Sequence, residues 1–221
     1  DGTFTGAQFF HEEYGIPVVG APGTIDNDLY GTDNTIGFDT AVNTALDAID
    51  KIRDTANSHD RVFFIEVMGR NSGYIAIQSG IGGGAELTMV PESLTTIDDV
   101  IGTLKSGWDK QKTSSIIVVA EGDEQGDALA IAAKVKQRLP DKDIKVTTLG
   151  HIQRGGAPSA YDRILSSRLG VGAVEGLMNE MNCHMVGVVN DQSTYTPLKD
   201  AISKTKPLNE DLVRIGKILS T

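Results

Sequence analysis

The sequence predicts an α/β protein whose sheets are mostly parallel, and three observations carry that expectation. Five short runs, at 62–67, 87–90, 115–120, 144–147 and 185–189, are rich in β-branched residues, and each reads as a strand buried on both faces. Helical patterns fall between them, so strands and helices alternate along the chain as in successive βαβ units. Polar, glycine-rich loops follow several of the strands, at the carboxyl ends where open α/β sheets bind ligands.

The elements follow in order. Asp1-Gly2-Thr3 opens the chain with a carboxylate, a glycine and a hydroxyl, which reads as a phosphate-binding turn lacking its supporting strand. The apolar stretch Ile16-Pro17-Val18-Val19-Gly20 then leads through Pro22-Gly23 into Thr24-Ile25-Asp26-Asn27-Asp28. Val42, Ala45, Leu46, Ile49 and Ile52 form one apolar stripe with Asp47, Asp50 and Lys51 on the wet side, a helix that Thr35 or Asp33 is placed to cap. Further helices fit 97–112, 127–139, 161–181 and 209–219. No internal repeat, low-complexity tract or long linker marks a domain boundary.

Composition narrows the function. With 221 residues, 39% of them hydrophobic, the chain is long enough for one large or two small domains with an ordinary core. Thirty acidic against twenty basic residues give a formal charge of −10, which argues against nucleic acid as a partner because phosphate backbones demand clustered cations. The single cysteine, Cys183, cannot form an intrachain disulfide or a zinc site alone, and reads as a small buried residue rather than a nucleophile. The sequence has neither the layout of a secretory signal nor an apolar run near the roughly 18 residues of a membrane span. The expectation is a cytoplasmic protein without a membrane partner.

Taken alone, the Thr24 to Asp28 run is equally a tight turn, since Asp and Asn bond their own backbone, or a pair of carboxylates aimed at a ligand. Its company favours the second reading. Met68-Gly69-Arg70-Asn71-Ser72-Gly73 follows one strand, Glu121-Gly122 ends another, and Leu149-Gly150-His151-Ile152-Gln153-Arg154-Gly155-Gly156 ends a third.

Together with Glu66-Val67-Met68-Gly69-Arg70 and Pro91-Glu92, these motifs make the chain resemble the bacterial ATP-dependent 6-phosphofructokinases. The resemblance runs from Asp1 to the C-terminal region, and it implies a further N-terminal segment carrying a glycine-rich nucleotide loop. It implies two Rossmann-like three-layer α/β domains, the nucleotide domain incomplete in residues 1–37 and 153–203 and the sugar-phosphate domain in 38–152 and 204–221. The reaction it implies is transfer of the terminal phosphate of ATP, with Mg2+, to fructose 6-phosphate.

The residue roles follow from the same resemblance. Asp26 is the general base, Thr24 and Arg70 meet the transferred phosphate, and Asp28 organises the metal or its waters. Asp1 lies near the metal, and Gly2, Thr3 and Gly6 near the nucleotide. Met68, Gly69, Glu121, His151 and Arg154 line the sugar-phosphate pocket. His151, which by itself would read as a structural histidine, takes its role from the surrounding motif, whereas His11, His59 and His184 keep the structural reading. Arg61 and Lys145 match residues that reach the substrate phosphate of a neighbouring subunit. The family arginine is a lysine at 145, which keeps the charge and loses the planar fork.

Arg53, Gly84, Glu86, Lys110 and Lys112 match a second site for ADP-like activators or phosphoenolpyruvate, against the plainer reading of Arg53 and the lysines as solvated helix-end charges. Shared sites of this kind imply a homotetramer. Gly2 and Gly23 stand where pyrophosphate-dependent relatives carry Asp and Lys, which favours ATP as donor. The alternatives are a pyrophosphate-dependent enzyme, a catalytically silent sugar-phosphate sensor, and a structural module with no activity alone.

Overall fold

A computed structural model of the protein describes residues 2–56, 61–110 and 114–219. Two compact units divide the chain, one of Asp1–Thr40 with Ala157–Pro207, the other of Ala41–Gly156 with Leu208–Thr221. The sequence reading divides it after 37, 152 and 203.

In the first unit, α1 (Gly2–Tyr14), α6 (Ala160–Met178) and α7 (Leu198–Ser203) accompany a sheet of three strands, β1 (Val19–Gly20), β6 (His184–Val189) and β7 (Gln192–Pro197). The sheet order is β1-β6-β7, with β1 parallel to β6 and β7 antiparallel to it. Leu165 and Leu169 of α6 pack on Val186 and Val188, while Phe4 of α1 joins Leu29, Met185 and Leu198 in a second cluster. Gly2 and Thr3 begin a helix here rather than an isolated turn. The opposite face of α6 presents Ile164, Val171, Val174 and Met178 to solvent.

The second unit is built on a four-stranded sheet, all parallel, in the order β3-β4-β2-β5, formed by β2 (Arg61–Val67), β3 (Leu87–Met89), β4 (Ser114–Ala120) and β5 (Asp143–Thr148). Helices α2 (Phe38–Ala56, which starts in the first unit), α3 (Tyr74–Gly82), α4 (Ile97–Asp109), α5 (Ala128–Arg138) and α8 (Glu210–Leu219) complete it. Val62 and Phe64 of β2 and Ile117 and Val119 of β4 meet Leu104 of α4 and Ile131 of α5 in one core. Being central, β2 and β4 are buried on both faces, which is why their sequences do not alternate.

Two expectations need correction. β3 and β5 are not buried on both faces: they are the two edge strands, with Leu87 and Thr88 of β3 half-buried and every residue of β5 half-buried or exposed, Asp143, Lys145 and Thr148 lying open to water. Neither Thr35 nor Asp33 caps α2 through its side chain. The carboxylate of Asp162, 2% exposed, accepts from the backbone N–H of Gly37 at 2.9 Å and of Thr40 at 2.8 Å and from the Thr40 hydroxyl. A buried acceptor satisfies helix-terminal amides whatever its distance along the chain. The helix expected over 97–112 has Lys110 as its C-cap. Among the described residues no helix is long and apolar enough to cross a membrane.

Candidate active site

In the first unit, the loop after β1 carries Thr24, Asp26 and Asp28. The Thr24 hydroxyl accepts from the Asp26 N–H at 3.2 Å, a local turn that draws Asp26 back over Thr24. Asn27, 1% exposed, takes a left-handed conformation with φ of 54°, a region Asn tolerates better than most residues. Its side chain ties the loop down: Nδ2 donates to the Asp33 carbonyl at 3.2 Å and Oδ1 accepts from the Thr35 N–H at 3.0 Å. The Thr35 hydroxyl in turn donates to the Thr24 carbonyl at 2.6 Å. Asp26 is thereby held at 5% exposure, and Asp28 is half-buried. Gly2, Thr3 and Gly6 sit exposed on α1 in the same unit; Asp1 lies outside the described residues.

In the second unit, β2, β4 and β5 run parallel, so the loops that follow them share one end of the sheet. Glu121, just after β4, accepts on Oε1 from the N–H groups of Gly69 at 3.3 Å and Arg70 at 2.6 Å. That contact holds Gly69 at φ 146° and Arg70 at φ 52°. A Cβ on Gly122 would lie 1.9 Å from the Arg70 carbonyl oxygen, so only glycine allows the two backbones to meet. The 3-10 helix η1 (Gly150–Arg154) follows β5, and its buried Gln153 accepts from the Met68 N–H at 3.3 Å while donating to the Gly150 carbonyl at 3.1 Å. The structure thus gathers Met68, Gly69, Arg70, Glu121 and the η1 turn, with His151 and Arg154 exposed on that turn.

Arg61 and Lys145 belong elsewhere. They lie at the opening end of β2 and β5, where Asp143 bridges them: Oδ2 accepts from Arg61 Nε and Oδ1 from Lys145 Nζ, both at 2.9 Å. The two cations hold the Asp143 carboxyl below its usual range, the Lys145 hydrogen bond most of all. A seven-residue strand separates this pair from the Glu121 cluster by about 20 Å, so within this chain the two groups do not converge. Of the other predicted residues, Arg53 donates to the Gly83 and Gly84 carbonyls, and Glu86, 7% exposed, accepts from the Ile116 N–H. Lys110 is exposed, and Lys112 and His59 lie outside the described residues.

His11 and His184 bond backbone carbonyls at 2.7 Å, as structural histidines do. Cys183 is half-buried, and burial pushes its thiol up, away from nucleophilic thiolate chemistry. Sequence reasoning gave no role to Gln153 and Asn27, although both stand inside the motifs it singled out. It also missed Glu92, which accepts from the Gly73 N–H at 2.9 Å ahead of α3, though Pro91-Glu92 was part of the pattern. Asp143 and Asp162 carry no local signal of this kind.

The phosphofructokinase family model matches residues 1–177. An ATP-dependent 6-phosphofructokinase of Cytophaga hutchinsonii is 58% identical over 220 residues, covering all of this chain and 67% of that protein. The chain belongs to the phosphofructokinase family. Among solved structures, the phosphofructokinase of Saccharomyces cerevisiae superposes with a TM-score of 0.87 at 30% identity, covering 99% of this chain and 33% of that one. A pyrophosphate-dependent phosphofructokinase of Marinobacter aquaeolei gives 0.77 at 25% identity, covering 98% and 63%. The phosphofructokinase fold therefore accommodates either donor, while curated relatives at 51–58% identity to this chain are ATP-dependent enzymes.

Proposed function

We propose that the complete protein transfers the terminal phosphate of Mg-ATP to the 1-hydroxyl of fructose 6-phosphate, giving fructose 1,6-bisphosphate in glycolysis. The observation that carries this reading is Asp26, a buried carboxylate on a loop braced by Asn27 and Thr35. Asp26 accepts the proton of the sugar 1-hydroxyl as that oxygen bonds to the terminal phosphorus and the bond to the ADP oxygen breaks. Thr24 and Arg70 meet the transferred group, where negative charge spreads over three oxygens. Glu121, with Oε1 engaged by backbone amides, offers Oε2 to sugar hydroxyls, and His151 and Arg154 meet the 6-phosphate.

Mg2+ suits the donor set present. That cation takes one or two carboxylates plus substrate phosphates and keeps several waters; Asp1 would lie near it and the half-buried Asp28 would organise the ion or its waters. Among the described residues, no group of three or more His, Cys, Asp or Glu converges. When bound, the ion neutralises phosphate charge.

Gly2 and Gly23 support ATP as donor. A Cβ at either position would meet nothing within 4 Å, so packing does not demand these glycines, and the space they leave suits the larger nucleotide. Arg61 and Lys145 are assigned to the substrate phosphate of a neighbouring subunit in a homotetramer. Arg53, Gly84, Glu86, Lys110 and Lys112 are assigned to an ADP or phosphoenolpyruvate effector.

The deciding experiment is a coupled assay of the complete protein with fructose 6-phosphate and either Mg-ATP or Mg-pyrophosphate. Activity with ATP is expected. Activity with pyrophosphate alone would overturn the donor assignment, and turnover with neither would leave a sugar-phosphate sensor.

A further expected result concerns Gly122→Ala. Because the new Cβ would clash with the Arg70 carbonyl, the loop holding Gly69 and Arg70 must shift. Displacements near 1 Å cost up to about 100-fold in a positioned site, so kcat/KM for fructose 6-phosphate should fall by roughly 10- to 100-fold. Steady-state titration of the sugar at saturating ATP checks this, and a change under twofold would remove the loop from the site.

A further inference from the structure

One carbonyl organises the loop that carries Asp26 and Asp28. The Asp33 oxygen accepts from Asn27 Nδ2 at 3.2 Å and from Lys206 Nζ at 2.6 Å. Asn27 is the residue between the two carboxylates, so whatever fixes the Asp33 carbonyl fixes them as well. Asp33 is itself pinned to β6 and the turn after it, its N–H donating to the Val188 carbonyl at 2.7 Å and its carboxylate accepting from the Asn190 N–H at 2.7 Å.

Lys206 reaches this hub from the stretch after α7, where Thr205 pairs antiparallel with Leu29 and Lys204 Nζ lies 5.1 Å from the Tyr30 ring centre. Lys206 is half-buried, and an ammonium gives up water at a cost unless specific partners replace it. Burial lowers its pKa to about 8, with the charges of Asp33 and Asp28 opposing the shift. A lysine whose only task was solubility would keep its amine in water.

We propose that Lys206 is a positioning residue for the Asp26 loop: its charge-assisted bond to the Asp33 carbonyl fixes the anchor of Asn27. This inference rests on the assignment of Asp26 as the base. The side chain acts through the Asp33 carbonyl and Asn27. Its loss should therefore reduce the fraction of molecules with Asp26 in place and leave sugar binding on the second unit's loops unaltered.

The test compares wild type, Lys206→Met and Lys206→Arg of the complete protein by steady-state kinetics and amide hydrogen exchange. Lys206→Met should lower kcat by about 10- to 100-fold, the scale of a misplaced catalytic group, with KM for fructose 6-phosphate within about twofold. Lys206→Arg, which keeps a cationic donor, should recover most of the loss. The Thr35 amide, bonded to Asn27 Oδ1, should exchange about tenfold faster in Lys206→Met while amides of β2 and β4 keep their protection. An unchanged kcat and an unchanged Thr35 amide in Lys206→Met would overturn the proposal, and so would a Lys206→Arg variant as slow as Lys206→Met. If Lys206→Met does not fold, Lys206→Gln decides on the same two readouts. Thr35 exchange needs no turnover, so it judges Lys206 even where the wild-type assay rejects Asp26 as the base.

Discussion

Asp26→Asn is expected to lower kcat by about 10²- to 10⁴-fold, the range for removing a general base. Asn keeps the volume and one carbonyl acceptor, so a side chain 5% exposed is replaced without a cavity, and the loop bonds through Asn27 and Thr35 do not involve the substituted atoms. What is lost is the capacity to take the sugar hydroxyl proton as its oxygen attacks. KM for fructose 6-phosphate should stay within a few-fold, because Glu121, His151 and Arg154 hold the sugar in the proposed site. Single-turnover measurement of phosphoryl transfer separates this from slow product release. A loss below about tenfold would mean that the hydroxyl loses its proton to water or another group, and Asp26 would then be a structural carboxylate.

The residues that carry this prediction were legible because glycine and carboxylate motifs at strand ends are local patterns. The same holds for β2 and β4, whose unbroken apolar runs reflect burial on both faces of a parallel sheet. β5 read as a buried strand from Ile144 and Val146, yet its neighbours Asp143 and Lys145 mark an edge, and edges are set by what does not pair. The β6–β7 hairpin went unread because Gln192-Ser193-Thr194 is polar. Its turn residues, Asn190 and Asp191 at φ 48° and 61°, are nonetheless the type favoured in two-residue hairpin loops. The bonds that hold the site are another matter. Lys206 meets a carbonyl 173 positions away and Asp162 an amide 125 positions away, and no periodicity reports a pairing that only the fold creates.

Asp162 gives the second large expected effect, on stability. Its carboxylate serves two amides and a hydroxyl at the start of α2, its own N–H donates to Ser159 Oγ at 3.2 Å, and the Ser159 N–H donates to Thr40 Oγ1 at 3.0 Å. The starts of α2 and α6 thus cap each other through one buried acid. Asp162→Ala removes the acceptor and leaves the Gly37 and Thr40 groups without it. Each such buried group costs about 1–3 kcal/mol, and with partial relaxation and water entry the total should be about 3 kcal/mol. For a chain of this size that corresponds to a fall in Tm of roughly 6–12 °C. Asp162→Asn, which retains one carbonyl acceptor, should lose about half as much. Urea titration is the appropriate check, since loss of a cap lowers the midpoint while leaving the slope unchanged. A midpoint shift worth less than about 1 kcal/mol would show that water replaces the carboxylate at the head of α2. Asp26→Asn should leave the urea midpoint in place, so the two aspartates, both nearly inaccessible to solvent, are expected to separate cleanly, one in kcat and the other in folding free energy.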